Sequence, residues 1–235
     1  MGLDIYVGSF TRYYAGDWEL IAARAARELG AEFNVIRHYD PPEALRDPEE
    51  IRPLVLEWRN GLSESLASSL AEPLDWREDA DARYFTDKPA WDGYQGLLLW
   101  TAYEEHPEFE RPSSIPEHID RDPAIKLSMN ERKTRYPALL FSTNFWLPVR
   151  LPFVFETVDV GGKKAVIGSS YSLEQELSEL NQRTWKMSDD ELDYFAREGC
   201  EKDSPLEVAA RFAYTLFQRH ARLSVTHRLP MLLDW

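Results

Sequence analysis

Apolar and polar residues alternate with a period of two where the chain opens: Leu3, Ile5 and Val7 against Asp4, Tyr6 and Gly8. That spacing predicts a strand. The same period returns further on, where Phe153, Phe155 and Thr157 alternate with Val154, Glu156 and Val158. Gly161-Gly162 follows, a pair suited to the positive φ angles of a tight hairpin, and Ala165-Val166-Ile167 makes the returning strand. Gly168-Ser169-Ser170 ends that strand. Ser172, three residues before Gln175, predicts a capping box, in which each side chain satisfies a backbone donor left open by the first helical turn.

Elsewhere the pattern is helical. Asp17 is read as an N-cap, with Trp18, Ile21, Ala22, Ala25, Ala26 and Leu29 on one stripe and Gly30 as the stop. Residues 32–38 read as a second strand, before Asp40-Pro41-Pro42 breaks the chain. Asp47, Pro48 and Glu50 start a helix whose stripe runs through Ile51, Val55, Trp58, Leu62 and Leu66 to about residue 71. Residues 72–88, with Asp75, Glu78, Asp79, Asp81 and Asp87, read as a surface loop. Pro89 then opens a helix in which Leu97-Leu98-Leu99-Trp100 is apolar all round, the signature of a buried central helix.

Residues 106–137 carry Pro107, Pro112, Pro116, Pro123 and Pro137 and show no sustained period, apart from a short strand or helical turn near Ile125 to Met129. The apolar pattern resumes at 138–147, and Pro148 and Pro152 confine their segments to edges or bends. Beyond the hairpin the rest reads as helical. Ser188 with Glu191 makes a capping box, Gly199 ends that helix, and Ser204, Pro205 and Glu207 start another. The sum is an α+β fold, a helix-rich single globular domain over residues 1–235 packed on a small, largely antiparallel sheet.

Composition narrows the function. With 27 basic against 41 acidic residues the formal charge is −14. Such a chain repels phosphate backbones, so nucleic acid is not the expected partner, whereas a basic protein is. The single cysteine, Cys200, excludes an internal disulfide and a cysteine zinc cluster. No apolar run approaches the roughly 18 residues of a membrane span, and Asp4 and Arg12 interrupt any signal-like start, so a cytoplasmic setting is expected.

Candidate chemistry is sparse. Gly-x-Ser-x-Gly, Gly-x-Gly-x-x-Gly and phosphate-loop patterns are absent, and no histidine pair has metalloprotease spacing, so no cofactor, metal or catalytic residue is assigned. Ser169 and Ser170 stand before a helix N-terminus, where an anion is favoured, although turning and capping also explain them. Arg12, Tyr13, Tyr14, Asp17 and Trp18 gather a cation, aromatics and a carboxylate, the residue types that line recognition pockets. Trp91 with Asp92, and Asn144 with Trp146, have similar chemistry and are expected to converge on them. The alternative is that these rings close the margin of the core.

Three blocks carry a resemblance: Met1-Gly2-Leu3-Asp4-Ile5-Tyr6-Val7-Gly8 with Thr11-Arg12-Tyr13-Tyr14; Thr86-Asp87-Lys88-Pro89 with residues 97–100; and Ala165-Val166-Ile167-Gly168 leading into Glu176-Leu177. Over about the first 185 residues they are similar to a family of uncharacterised bacterial proteins. The resemblance implies one domain, a bacterial source and a cytoplasmic setting, and carries over no catalytic residue. Together these features lead to the expectation of a non-enzymatic binding protein, in its specific form an immunity-type protein masking a basic toxin. A hydrolase or transferase with a pocket built on Arg12 to Trp18 is the second class.

Overall fold

The computed structural model describes residues 3–31, 46–70, 73–79, 81–131, 134–201 and 203–234. The first alternating segment forms β1 (Asp4–Val7), and the hairpin forms β4 (Phe155–Val158) and β5 (Lys164–Ser169). Gly162, at φ 79°, takes the left-handed position of the hairpin turn. Three further strands, β2 (Phe85–Asp87), β3 (Phe145–Leu147) and β6 (Met231–Asp234), complete one sheet in the order β2-β1-β6-β3-β5-β4. Only β3 and β5 run parallel; every other pairing is antiparallel.

Nine helices lie among the described residues: α1 (Phe10–Ala15), α2 (Ile21–Glu28), α3 (Pro48–Ser65), α4 (Ala90–Glu105), α5 (Pro123–Ile125), α6 (Pro137–Leu140), α7 (Ser170–Arg183), α8 (Asp189–Glu198) and α9 (Leu206–His227). They cover both faces of the sheet. Ile5, Val7, Trp146, Met231 and Leu233 point into one core with α4, α7 and α9. Tyr6, Phe145, Leu147, Ala165, Ile167 and Leu232 point into a second core under α1, α3 and the strap at residues 73–79. The all-apolar helix α4 is central, as its sequence demands. Gly93 and Gly96 let it lie against α9, where a Cβ on Gly96 would stand 3.1 Å from the backbone nitrogen of Ala210.

Several boundaries differ from the sequence reading. Asp17 does not cap a helix. The chain coils earlier, into α1, with Ser9 accepting from the Arg12 N–H and Gly16 in the left-handed closing position; α2 then begins at Ile21 without a side-chain cap. The N-cap of α7 is Ser169 rather than Ser172, because the helix continues directly out of β5, and the Ser172 hydroxyl instead donates to Leu151 O. Ser204 does not cap α9, whose Ncap position is held by Pro205. Residues 72–88 are not a plain surface loop: Leu74, Trp76, Glu78 and Ala82 are buried, and Phe85–Asp87 is an edge strand. The C-terminal stretch is not wholly helical, since β6 sits in the middle of the sheet between β1 and β3. The strand expected at 32–38 lies outside the described residues. Asp47 and Ser188 cap α3 and α8 as expected, the second in a full capping box with Glu191.

The proline-rich stretch folds as short turns: a 3-10 turn at Ile119–Arg121, α5, and a π turn at Lys126–Asn130. Asp122 organises it, accepting from the Ala124 and Ile125 N–H groups and from the Tyr103 hydroxyl.

Candidate functional site

The α1 turn places Arg12, Tyr13 and Tyr14 on the second core, beside Trp18. Rings meet there in series: Tyr6 with Tyr13 at 5.4 Å and with Trp18 at 5.0 Å, and Tyr13 with Tyr14 at 5.1 Å. Arg12 lies over the Tyr84 ring at 5.1 Å, donates to Ala82 O at 2.7 Å and pairs with Asp17 at 3.2 Å. Tyr13 donates to Asp234 Oδ1 at 2.6 Å, so the cluster is tied to the last strand.

Beneath it lies a residue that sequence reasoning placed in solvent. Glu78 is 4% exposed and accepts from four donors: the N–H groups of Phe10 and Thr11, the Thr11 hydroxyl and the Trp76 indole. Burial raises its pKa, while these donors pull the other way. The signal for it was present in the sequence, since Leu74, Trp76 and Glu78 alternate as in an extended segment with one buried face. In this setting Glu78 acts as a cap for the start of α1, supplied from distant sequence.

The other expected members do not join the cluster. Trp146 is fully buried on the opposite face of the sheet, donating from its indole to Ala138 O, and Trp91 packs on that same side. Asp92 is exposed on the first turn of α4. Asn144 works as sheet framework: its side-chain oxygen accepts from the Val166 N–H and its backbone oxygen from the Leu233 N–H. The sheet therefore divides the residues expected to converge, with Tyr13, Tyr14 and Trp18 on one face and Trp91 and Trp146 on the other. Ser169 and Ser170 are both buried; the Ser169 hydroxyl donates to Val149 O, and Ser170 Oγ lies 3.1 Å from Trp146 O and 2.6 Å from Ser224 Oγ. Their polar groups are turned inward, away from any anion in solvent.

A second buried carboxylate repeats the Glu78 theme. Glu176 on α7 accepts from the Ala138 and Leu139 N–H groups at the start of α6, and burial, reinforced by Glu105 and Glu179 nearby, pushes its pKa up to about 8. It too is a helix cap in the interior. Among the described residues no three His, Cys, Asp or Glu side chains gather as metal ligands.

Concavity is found instead between α8 and α9, in a cleft of about 280 Å³. Leu192 and Ala196 of α8 and Leu223 of α9 form its apolar part, with Asp189 and Asp193 on one wall and Arg219 and Arg222 on the other. Arg222 pairs with Asp189 at 2.6 Å. The sequence carried this signal as matching helical stripes, at 189, 192, 193 and 196 and at 215, 219, 222, 223 and 226.

What fold and site define is a helix-rich α+β protein in which the buried carboxylates Glu78, Asp122 and Glu176 serve its own helix ends. Comparison with protein-family models, with curated proteins and with solved structures gives no match. No helix among the described residues is long and apolar enough to cross a membrane.

Proposed function

We propose that this chain is a non-enzymatic binding protein of the bacterial cytosol that recognises a basic protein, and in its specific form an immunity-type protein that masks a basic toxin. The observation that carries the reading is the acidic outer face of α8 and the turn after it. Asp189, Asp190, Glu191, Asp193, Glu198 and Glu201 stand there, all exposed, and within α8 itself Arg197 is the one basic residue. The two carboxylates with the hydrogen-bonding most suggestive of chemistry, Glu78 and Glu176, are occupied as interior caps. An outward field of one sign steers a partner of the opposite sign and supplies specificity in the rim of an interface. Tyr194, 56% exposed in the middle of this face, adds the kind of aromatic that anchors interfaces.

Affinity capture from cells of the source bacterium tests this. A basic protein should be retained at about 0.1 M salt and released as salt is raised several-fold, because screening shortens the Debye length from about 10 Å to a few ångströms. Recovery of no basic protein, or of partners indifferent to salt, overturns the reading.

A further inference from the structure

Buried N–H groups normally find acceptors. One run of ring contacts, between α4, the α7–α8 loop and α9, holds several that do not. The Arg111 guanidinium lies 3.8 Å over the Trp100 ring, Trp100 stacks on Trp185 at 5.3 Å, and Arg211 stands 5.9 Å from the Trp185 ring. The Nε–H groups of both arginines and the indole N–H groups of both tryptophans are buried without an acceptor, and Trp100 is 8% exposed. Neither side chain can itself accept a hydrogen bond, so what is lacking is acceptors alone. The carboxylates that act on Arg111 are already committed elsewhere: Glu104 to Arg183 at 2.6 Å and Glu207 to Arg211. Arg111 is half-buried, and no hydrogen bond or ion pair among the described residues engages it. Burial pushes its pKa below the ordinary value, and the opposite pull of Glu104 and Glu207 does not cancel this. Three guanidinium groups here meet two carboxylates, which leaves one positive charge unmatched.

We propose that Arg111, held flat on Trp100, anchors a binding site for a small organic carboxylate. The carboxylate lies fork to fork against the terminal amino edge of the guanidinium in two N–H···O bonds, and the indole ring beneath fixes the plane in which they form. Charge selects the ligand. A singly charged carboxylate balances the one unmatched guanidinium, whereas a dianion leaves excess negative charge beside Glu104 and Glu207, and a cation meets Arg111 itself. The site draws on none of the carboxylates of the α8 face, so it stands independently of the partner that face recognises.

The probes are sodium acetate and, as the dianion, sodium sulfate, each titrated into the full chain at constant ionic strength. The readout is the proton–nitrogen NMR spectrum of the indole N–H groups, with Trp100 and Trp185 assigned by Trp100→Phe and Trp185→Phe. Acetate should shift the Trp100 resonance along a saturating curve, and sulfate should bind severalfold more weakly. Arg111→Gln, which removes the charge, should weaken acetate binding at least about tenfold. Arg111→Lys, which keeps the charge without the fork, should weaken it severalfold, and it decides the matter if Arg111→Gln does not fold. Arg150→Gln removes another arginine stacked on a ring, that of Tyr171 at 4.4 Å, and should leave the titration unchanged. A shift that grows without saturating, an equal response to sulfate, or an undiminished response in Arg111→Gln or Arg111→Lys overturns the proposal.

Discussion

At the scale of single residues, two glutamates decide how polar chemistry is arranged. Glu78 and Glu176 each reach across the fold to the first N–H groups of a short helix, where a carboxylate is favoured by the unpaired donors. No local pattern marks them as caps, because the groups they cap are 67 or 68 residues away for Glu78 and 37 or 38 for Glu176. Glu176 has a measurable consequence. Its pKa is raised to about 8 in the folded chain, from an ordinary value of 4.5. The folded state therefore holds a proton that the unfolded state has released, and stability falls as pH rises from about 4.5 to about 8, then levels. Urea titrations across that window should show the decline in the parent and a shallower one in Glu176→Gln, which cannot ionise. An unchanged slope in the variant would assign the pH dependence to other groups. Of the nine residues expected to form a pocket, Arg12, Tyr13, Tyr14, Asp17 and Trp18 do cluster, and they are neighbours in sequence. Those that depended on long-range placement, Trp91, Asp92, Asn144 and Trp146, do not join them.

At the scale of elements, helices announced by a local cap or by an apolar block were legible: α3 behind Asp47, α4 around residues 97–100, and α8 behind Ser188. The six-residue α1 was missed because one and a half turns hold too few positions to show a period, although Ser9 and Gly16 bracket it as cap and stop. Glycines separate propensity from packing. Gly61 lies in the exposed part of α3, with nothing within 4 Å of the position a methyl group would take, whereas a methyl on Gly96 meets Ala210 N at 3.1 Å and Ala209 Cβ at 3.2 Å. Gly61→Ala should stabilise the protein by about 0.5–1 kcal/mol through helix propensity. Gly96→Ala should instead destabilise it by about 1–3 kcal/mol, since α4 and α9 must move apart. Chemical denaturation of both variants measures the contrast; equal effects would mean that the α4–α9 contact tolerates a methyl group.

At the scale of the whole molecule, the last strand holds the sheet together. β6 is hydrogen-bonded to β1 on one side and β3 on the other, and Leu232 and Met231 enter opposite cores. Removing residues 229–235 should abolish cooperative unfolding, because β1 and β3 lose their common neighbour and both cores open at once. A truncated chain with a sharp urea transition would show the two halves of the sheet to be independent. The sequence by itself determined the fold class, the hairpin with Gly162 at its turn, the central buried helix and the acidic character of the surface. Each of these follows from short-range periodicity, turn chemistry or composition, which act without knowledge of the rest of the chain. Only the tertiary structure decided that β6 lies at the centre, that Glu78 and Glu176 are interior caps, that the sheet parts Trp146 from Arg12, and that α8 and α9 enclose a cleft. Those features arise where segments far apart in sequence compete to bury apolar surface and pair buried polar groups, and that competition is resolved only when the whole chain is packed.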